Sequence, residues 1–373
     1  MAGQGIDFTA GPIRKNMLLF AVPLLLSNLF QQLYNAADSV IVGNFVGAEA
    51  LAAVSSSTPL INMMVGFFNG MAIGAGVVIA GYFGARDMEK LRRAIHTDIA
   101  FGIIAGAVLV ILGTVFTPLI LRWMQTPEDV LPESIRYFRI YSLGVIFSVL
   151  YNIMMGIMNA IGDSRHPLYY LILSSIINIF LDLFLVGIVH TGVGGAAFAT
   201  IMSQAVSSIL CLRKLMHDDT PYRVRLRDIR IDTGMLRRII SYGLPSGIQN
   251  SVINFANIIV QTNINTFASA AVAGSGAYSK IEGFAFLPIT SFSLSLTTFV
   301  GQNIGAGKRD RVLKGMRFGI LCSITLAEII GLSFFLFAPL LISLFNTDPA
   351  VVSFGVRQAR IESLFYCFLA LSH

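Results

Sequence analysis

Charge is what this sequence has little of. Only 12% of its residues are Asp, Glu, Lys or Arg, whereas a soluble domain carries about 25%. Cysteine occurs three times, at Cys211, Cys322 and Cys367, each within an apolar run. An odd number of such thiols argues against a disulfide framework or a metal cluster. The five histidines, His96, His166, His190, His217 and His373, lie at helix ends or in loops and form no HExxH pair. No G-x-S-x-G elbow and no G-x-x-x-x-G-K-[ST] loop is present, so no serine nucleophile and no direct ATP drive is expected. The stretch Gly301–Gly307, although rich in glycine, lacks the lysine position of such a loop and reads as a flexible helix exit. The N-terminal MAGQGIDFTAGPIRKN is short and polar and carries no signal-cleavage pattern. The first helix is therefore expected to direct insertion.

What is present is apolar length. Hydrophobic residues make up 55% of the chain and mean hydropathy is +0.74. Runs of about 20 residues recur, the length an α-helix needs to cross hydrocarbon. The pattern predicts an all-α polytopic membrane protein with ten spans: 17–45, 50–82, 95–121, 135–160, 168–190, 195–216, 238–266, 268–302, 314–345 and 353–372. Pro23 and Pro245 are expected bending points. The pI near 9.3 does not point to nucleic acid, because the basic residues sit in connections between apolar runs. With the N-terminus placed in the cytoplasm, 20 of the 26 Lys and Arg fall on the inside and five outside, with Lys280 left in a span. The expected location is thus the inner or plasma membrane, multi-pass, with a cytoplasmic N-terminus.

The chain repeats itself 222 residues apart. Pro23 matches Pro245, and Asn28, Gln32 and Asn35 match Asn250, Asn254 and Asn257. Later, with one residue dropped from the spacing, Arg136-x-x-Arg139-Ile140 matches Arg357-x-x-Arg360-Ile361. Six spans before the repeat make the second half enter from the same side, so the halves are related by a pseudo-two-fold axis along the membrane normal. The expected units are a six-helix lobe over 1–216, a cytoplasmic linker over 217–237 and a second lobe over 238–373. The second lobe has four spans and nothing matching 168–216, which is expected to reflect truncation.

The repeat breaks at an acid. Asp38 falls opposite Val260. Carboxylates inside membranes are expensive and usually face a cavity or a partner. Asn28, Gln31, Asn35 and Asp38 share one helical face by spacing, and so do Asn178 and Asp182 one turn apart. Two carboxylates with neutral oxygens could hold a hard cation or share protons, and the spacing leaves both open. In the second half, Asn250, Asn254, Asn257 and Gln261 form an uncharged stripe suited to a substrate cleft or to joining helices. Glu282, Glu328 and Glu362 are further acids within apolar runs, and Glu282 either pairs with Lys280 or faces the cleft.

These motifs together resemble the multidrug and toxic compound extrusion (MATE) family over nearly the whole chain. The carrying residues are Pro23…Asn28…Asp38, Gly84-Ala85-Arg86-Asp87, Asn178-Ile179-Phe180-Leu181-Asp182 and Gly301-Gln302-Asn303-Ile304-Gly305-Ala306-Gly307. The resemblance implies two helical lobes around a central cleft. It implies export of organic cations or drugs in exchange for H⁺ or Na⁺ by alternating access, with no other cofactor and no catalytic residue. It matches Asp38, Asn178, Asp182 and Thr200 to an ion- or proton-coupling cluster in the first lobe, also a Na⁺ site if sodium is the ion. Gln31, Asn35, Asn250, Asn254, Asn257 and Glu282 are the expected substrate-cleft residues. The expected partners are a small-molecule substrate and the lipid bilayer, with oligomeric state open and a monomer sufficient. A flippase for lipid-linked oligosaccharides is the transport alternative, disfavoured because the interior carries mainly acids and amides, with Lys280 the main exception. A membrane-embedded enzyme is disfavoured by the missing catalytic constellation.

Overall fold

The computed structural model describes residues 5–124, 126–217, 219–264, 269–344 and 348–372, which form helices and connections without strands. The helices are α1 (Ile13–Phe45), α2 (Ala48–Gly84), α3 (Met88–Trp123), α4 (Leu131–Ala160), α5 (Arg165–Asp182), α6 (Val193–His217), α7 (Thr233–Ile264), α8 (Ser269–Gly305), α9 (Arg309–Ser343), α10 (Pro349–Glu362) and α11 (Tyr366–Ser372). Helices are what such runs must form, because hydrocarbon offers the backbone no other hydrogen-bond partner. Eight of them, α1–α6, α8 and α9, are long and apolar enough to cross a membrane, α5 doing so together with the turn that follows it. Rows of exposed large apolar side chains, such as Ile111, Val115 and Leu119 on α3 and Leu332, Leu336 and Leu340 on α9, suit a lipid-facing belt. The structure is a multi-pass membrane protein.

Two of the ten expected spans differ. α7 has 32 residues but its amides and small residues dilute its hydropathy below that of the others. The tenth breaks at a 3₁₀ turn, Ser363–Phe365, leaving α10 with 14 residues. At about 1.5 Å per residue, α10 falls short of a hydrocarbon core about 30 Å thick. The expected boundaries at 266, 268 and 345, and His373, lie outside the described residues.

Pro23 sits inside α1, where it removes a backbone donor, and the Ser27 hydroxyl donates to the Pro23 carbonyl at 2.9 Å. The halves meet along small-residue seams. Gly70 and Gly74 of α2 lie directly against Gly243 and Ser246 of α7, with no room for a Cβ at either α2 position. Gly84 of α2 abuts Gln302 of α8, and Gly305 of α8 abuts Gly81. Small residues let helix backbones approach closely where lipid supplies no hydrophobic drive between helices.

The segment before α1 adds a contact that no periodicity announces. Phe8 is fully buried, edge-to-face with Phe20 of α1 and Phe299 of α8 at 5.2 and 5.7 Å. Its N–H donates to Gln302 Oε1 at 3.0 Å, and Gln302 Nε2 donates to the Ala160 carbonyl of α4 at 2.9 Å. Asn303 Nδ2 and Arg311 donate to the Phe8 carbonyl, and Lys308 Nζ to that of Thr9 at 2.9 Å. Ile6 N–H donates to the Gly162 carbonyl at 2.8 Å. Asp7 pairs with Arg86. Burial pushes the Asp7 carboxyl up, but the bonds from Thr9 and the Arg86 charge outweigh it and hold it below the usual carboxylate range. Residues 5–11 thus tie α2, α4, α8 and α9 together at one end of the molecule.

Candidate functional site

At the far end of α1, Asp38 turns inward and is 9% exposed. Asp182 and Asn178 of α5 are fully buried, and the Asp38 and Asp182 carboxyl groups come within hydrogen-bonding reach of each other. Oδ1 of Asp38, both oxygens of Asp182 and both amide atoms of Asn178 are buried without a hydrogen-bond partner among the described residues. Burying polar groups unpaired costs several kcal/mol each, roughly 1–3 by protein mutation. Two ionised carboxylates are acceptors only and cannot satisfy one another, whereas one added proton makes either a donor. A small cation would serve equally.

The local fold explains the convergence. Immediately after Asp182 the chain changes to a π-helical turn, Leu183–Ile188, a distortion often found at functional sites. Val186 of that turn and Ile179 pack with Ile41 and Val42 of α1, so apolar contacts on either side clamp the two acids together. Thr200 of α6 is buried, and its hydroxyl donates to the Ala196 carbonyl at 3.0 Å. It makes no bond to Asp182 or Asn178, and contributes only remaining oxygen lone pairs.

Three residues of this site were not singled out in the sequence. Tyr34 of α1 and Tyr137 of α4 lie near the acid pair, Tyr141 of α4 lies near both tyrosines, and Tyr34 also engages Gln204 of α6. Their signal was the i,i+4 spacing of Tyr137 and Tyr141, which places both rings on one face.

The amide stripes divide by depth. Asn28 Nδ2 donates to Ser291 Oγ of α8 at 3.2 Å, joining the halves. Gln31 and Asn35 are exposed. On α7, Asn250 Nδ2 donates to the Ser246 carbonyl at 3.1 Å, Asn254 lies beside Gly66 of α2, and Asn257 is exposed. The side chain of Gln261 lies outside the described residues. Exposed amides on apolar helices suit a wet cleft better than lipid.

Glu282 pairs in the second half with Glu362 rather than with Lys280. Tyr278 and Tyr366 join them, with their hydroxyls 3.0 Å apart, and Gln358 Nε2 donates to Glu362 at 2.9 Å. The second half therefore does hold an acid pair with tyrosines, supplied by α8 and α10 and not by the helix that repeats α1. Glu328 accepts from the Cys367 N–H at 3.1 Å. No group of three or more His, Cys, Asp or Glu able to hold a metal occurs among the described residues.

The MatE family model matches residues 23–184 and 245–373, two stretches that begin at the paired prolines. The chain is 31% identical to the probable multidrug resistance protein YoeA of Bacillus subtilis (strain 168), over 93% of this chain and 76% of that protein. It is 22% identical to the multidrug export protein MepA of Staphylococcus aureus (strain NCTC 8325 / PS 47), over 95% of this chain and 78% of that protein. Its fold is similar to the outward-facing conformation of a multidrug resistance MATE family transporter, with TM-score 0.91 and 24% identity, covering 99% of this chain and 83% of that one.

Proposed function

We propose, from the premise that this chain belongs to the MatE family of multidrug transporters, that it exports organic cations or similar drugs in exchange for H⁺ or Na⁺. The observation that carries the coupling step is the set of buried, unbonded polar atoms on Asp38, Asn178 and Asp182. A proton shared by the two carboxyls bridges two of the unpaired carboxyl oxygens, and a Na⁺ held by the carboxyl oxygens with Oδ1 of Asn178 and Oγ1 of Thr200 gives the unpaired oxygens a partner. Either event draws α1 and α5 together at Asp38 and Asp182. Drug binds in the cleft lined by Gln31, Asn35, Asn250, Asn254, Asn257 and Glu282, where amides adapt their hydrogen bonds to varied ligands. Ion uptake rearranges α1 and weakens drug binding, and by reciprocity drug weakens ion binding. The halves rock about the shared seams so that the cleft opens to one side at a time. The N-terminus and the α6–α7 connection face the cytoplasm, following the basic residues.

The test is drug efflux in vesicles with pH and Na⁺ gradients imposed separately. Asp182→Asn keeps size and removes the titratable charge, so gradient-driven efflux should vanish while the protein remains folded in the membrane. Near-normal gradient-driven transport by this variant would remove Asp182 from the mechanism.

A further inference from the structure

The stretch between α6 and α7 has the composition of a linker, yet residues 220–232 are docked on the first half. Val224 is 2% exposed, belongs to the core formed by α2, α3, α4 and α6, and donates its N–H to the Leu215 carbonyl at 2.9 Å. The Arg225 N–H donates to His96 Nε2 at 3.0 Å. That nitrogen must then be an acceptor, so His96 Nδ1 carries the proton and donates to the Arg92 carbonyl at 2.7 Å. The Arg223 N–H closes a turn onto the Thr220 carbonyl at 3.2 Å. In extended chain, alternate side chains point to opposite sides. Burying Val224 therefore sends Arg223 and Arg225 outward together, beside Arg92 one turn into α3.

The result is a cleft of about 380 Å³ lined by Arg92, Arg223, Arg225, Thr220, Pro221 and Asp219. Three guanidinium groups face one carboxylate. At its wall the Thr220 Oγ1 is buried without a hydrogen-bond partner among the described residues. Guanidinium forks match the oxygens of a phosphate. Depth fits as well. α3 has 36 residues, about 54 Å of helix against about 30 Å of hydrocarbon, and its start carries Glu89, Lys90, Arg92 and Arg93, charges suited to the headgroup level.

We infer that this cleft binds a phosphate-bearing anion, either the headgroup of an anionic phospholipid or a phosphate free in solution. The inference does not depend on which ion or drug the chain transports. Occupancy fastens the connection between the halves to α3.

The full chain is placed in nanodiscs of phosphatidylcholine with a minor fraction of phosphatidylglycerol, and retained lipid is counted by native mass spectrometry, with and without added inorganic phosphate. Arg223→Gln/Arg225→Gln should lower the retention of phosphatidylglycerol over phosphatidylcholine about tenfold or more, because the paired guanidinium bonds to the phosphate are lost. Arg213→Gln/Arg317→Gln removes the same charge outside the cleft and should leave it nearly unchanged. If the cleft double variant does not fold, Arg223→Lys/Arg225→Lys keeps the charge, loses the forks and should still fall several-fold. Inorganic phosphate that binds the parent and displaces the lipid assigns the site to solution phosphate; phosphate without effect assigns it to the lipid. Equal losses in the cleft and control variants, or no loss in either, would overturn the inference.

Discussion

Gln302→Leu is the sharpest probe of the segment that ties the halves together. The side chain is fully buried and bonded at both ends, to the Phe8 N–H at 3.0 Å and to the Ala160 carbonyl at 2.9 Å. Leucine fills similar space and leaves both partners unpaired. An orphaned buried group costs about 1–3 kcal/mol. Taking the Phe8 end alone, the population in which residues 5–11 have left their groove should rise by roughly 5- to 150-fold, since about 1.4 kcal/mol is tenfold. Hydrogen exchange resolved to single amides reads this directly. Faster exchange at Phe8 is trivial, because its acceptor is gone. The informative amide is Ile6, whose bond to the Gly162 carbonyl the substitution does not touch. If the segment leaves as one unit, Ile6 exchange should accelerate by at least about fivefold. Ile6 exchange within a factor of two of the parent, with Phe8 fast, would show that the segment frays locally and is not a cooperative tie.

Three further outcomes are expected. Asp38→Asn should abolish ion dependence of efflux, while Asn257→Ala should chiefly change equilibrium drug binding, because an amide adapts its hydrogen bonds but carries no proton; the reverse pattern in vesicle efflux and drug-binding assays refutes the division. The Asp7 carboxyl titrates lower in the folded chain than when unfolded, so its contribution is present above the unfolded value near 3.8 and is lost as pH falls through the lower folded value. The population in which residues 5–11 have left their groove, read as exchange corrected for the intrinsic amide rate at each pH, should therefore rise on acidification below about pH 4, and Asp7→Asn should flatten that rise. Gly74→Ala should lower the melting midpoint in detergent, at about 1–3 kcal/mol for overpacking, because its Cβ meets the Gly243 backbone; Gly276→Ala, with open space around it, should not.

What the sequence disclosed followed from cost. An acid within an apolar run must have a reason, so Asp38 and Asp182 were legible singly, and the structure brings the two near each other. Tyr34, Tyr137 and Tyr141 were not, since an aromatic ring in a membrane helix packs against lipid or protein equally well. The pairing of Glu282 with Glu362 was hidden because the repeat draws attention to α7, where the acid is missing, while the pair is built from α8 and α10. Ten apolar runs were visible, but the break at Ser363–Phe365 depends on how Tyr366 packs against Phe334, at 6.1 Å, and on its hydroxyl bond to Tyr278. Residues 5–11 carry no period at all. Their placement rests on one buried ring, Phe8, and on contacts to residues distant in sequence, from Arg86 and Gly162 to Gln302, Asn303 and Arg311.

Those bonds also set an order of events at the ribosome. Phe8 is made among the first residues, but Gln302, Asn303 and Arg311 come 294, 295 and 303 positions later. At about 5–20 residues per second, the newborn end waits roughly 15–60 s with its aromatic ring unhoused. Through that interval the early helices can enter the bilayer and assemble, while the groove that receives Phe8 does not yet exist. Its closure marks the arrival of α8 and α9, so an antibody or protease that recognises only the free end would report how far synthesis has gone.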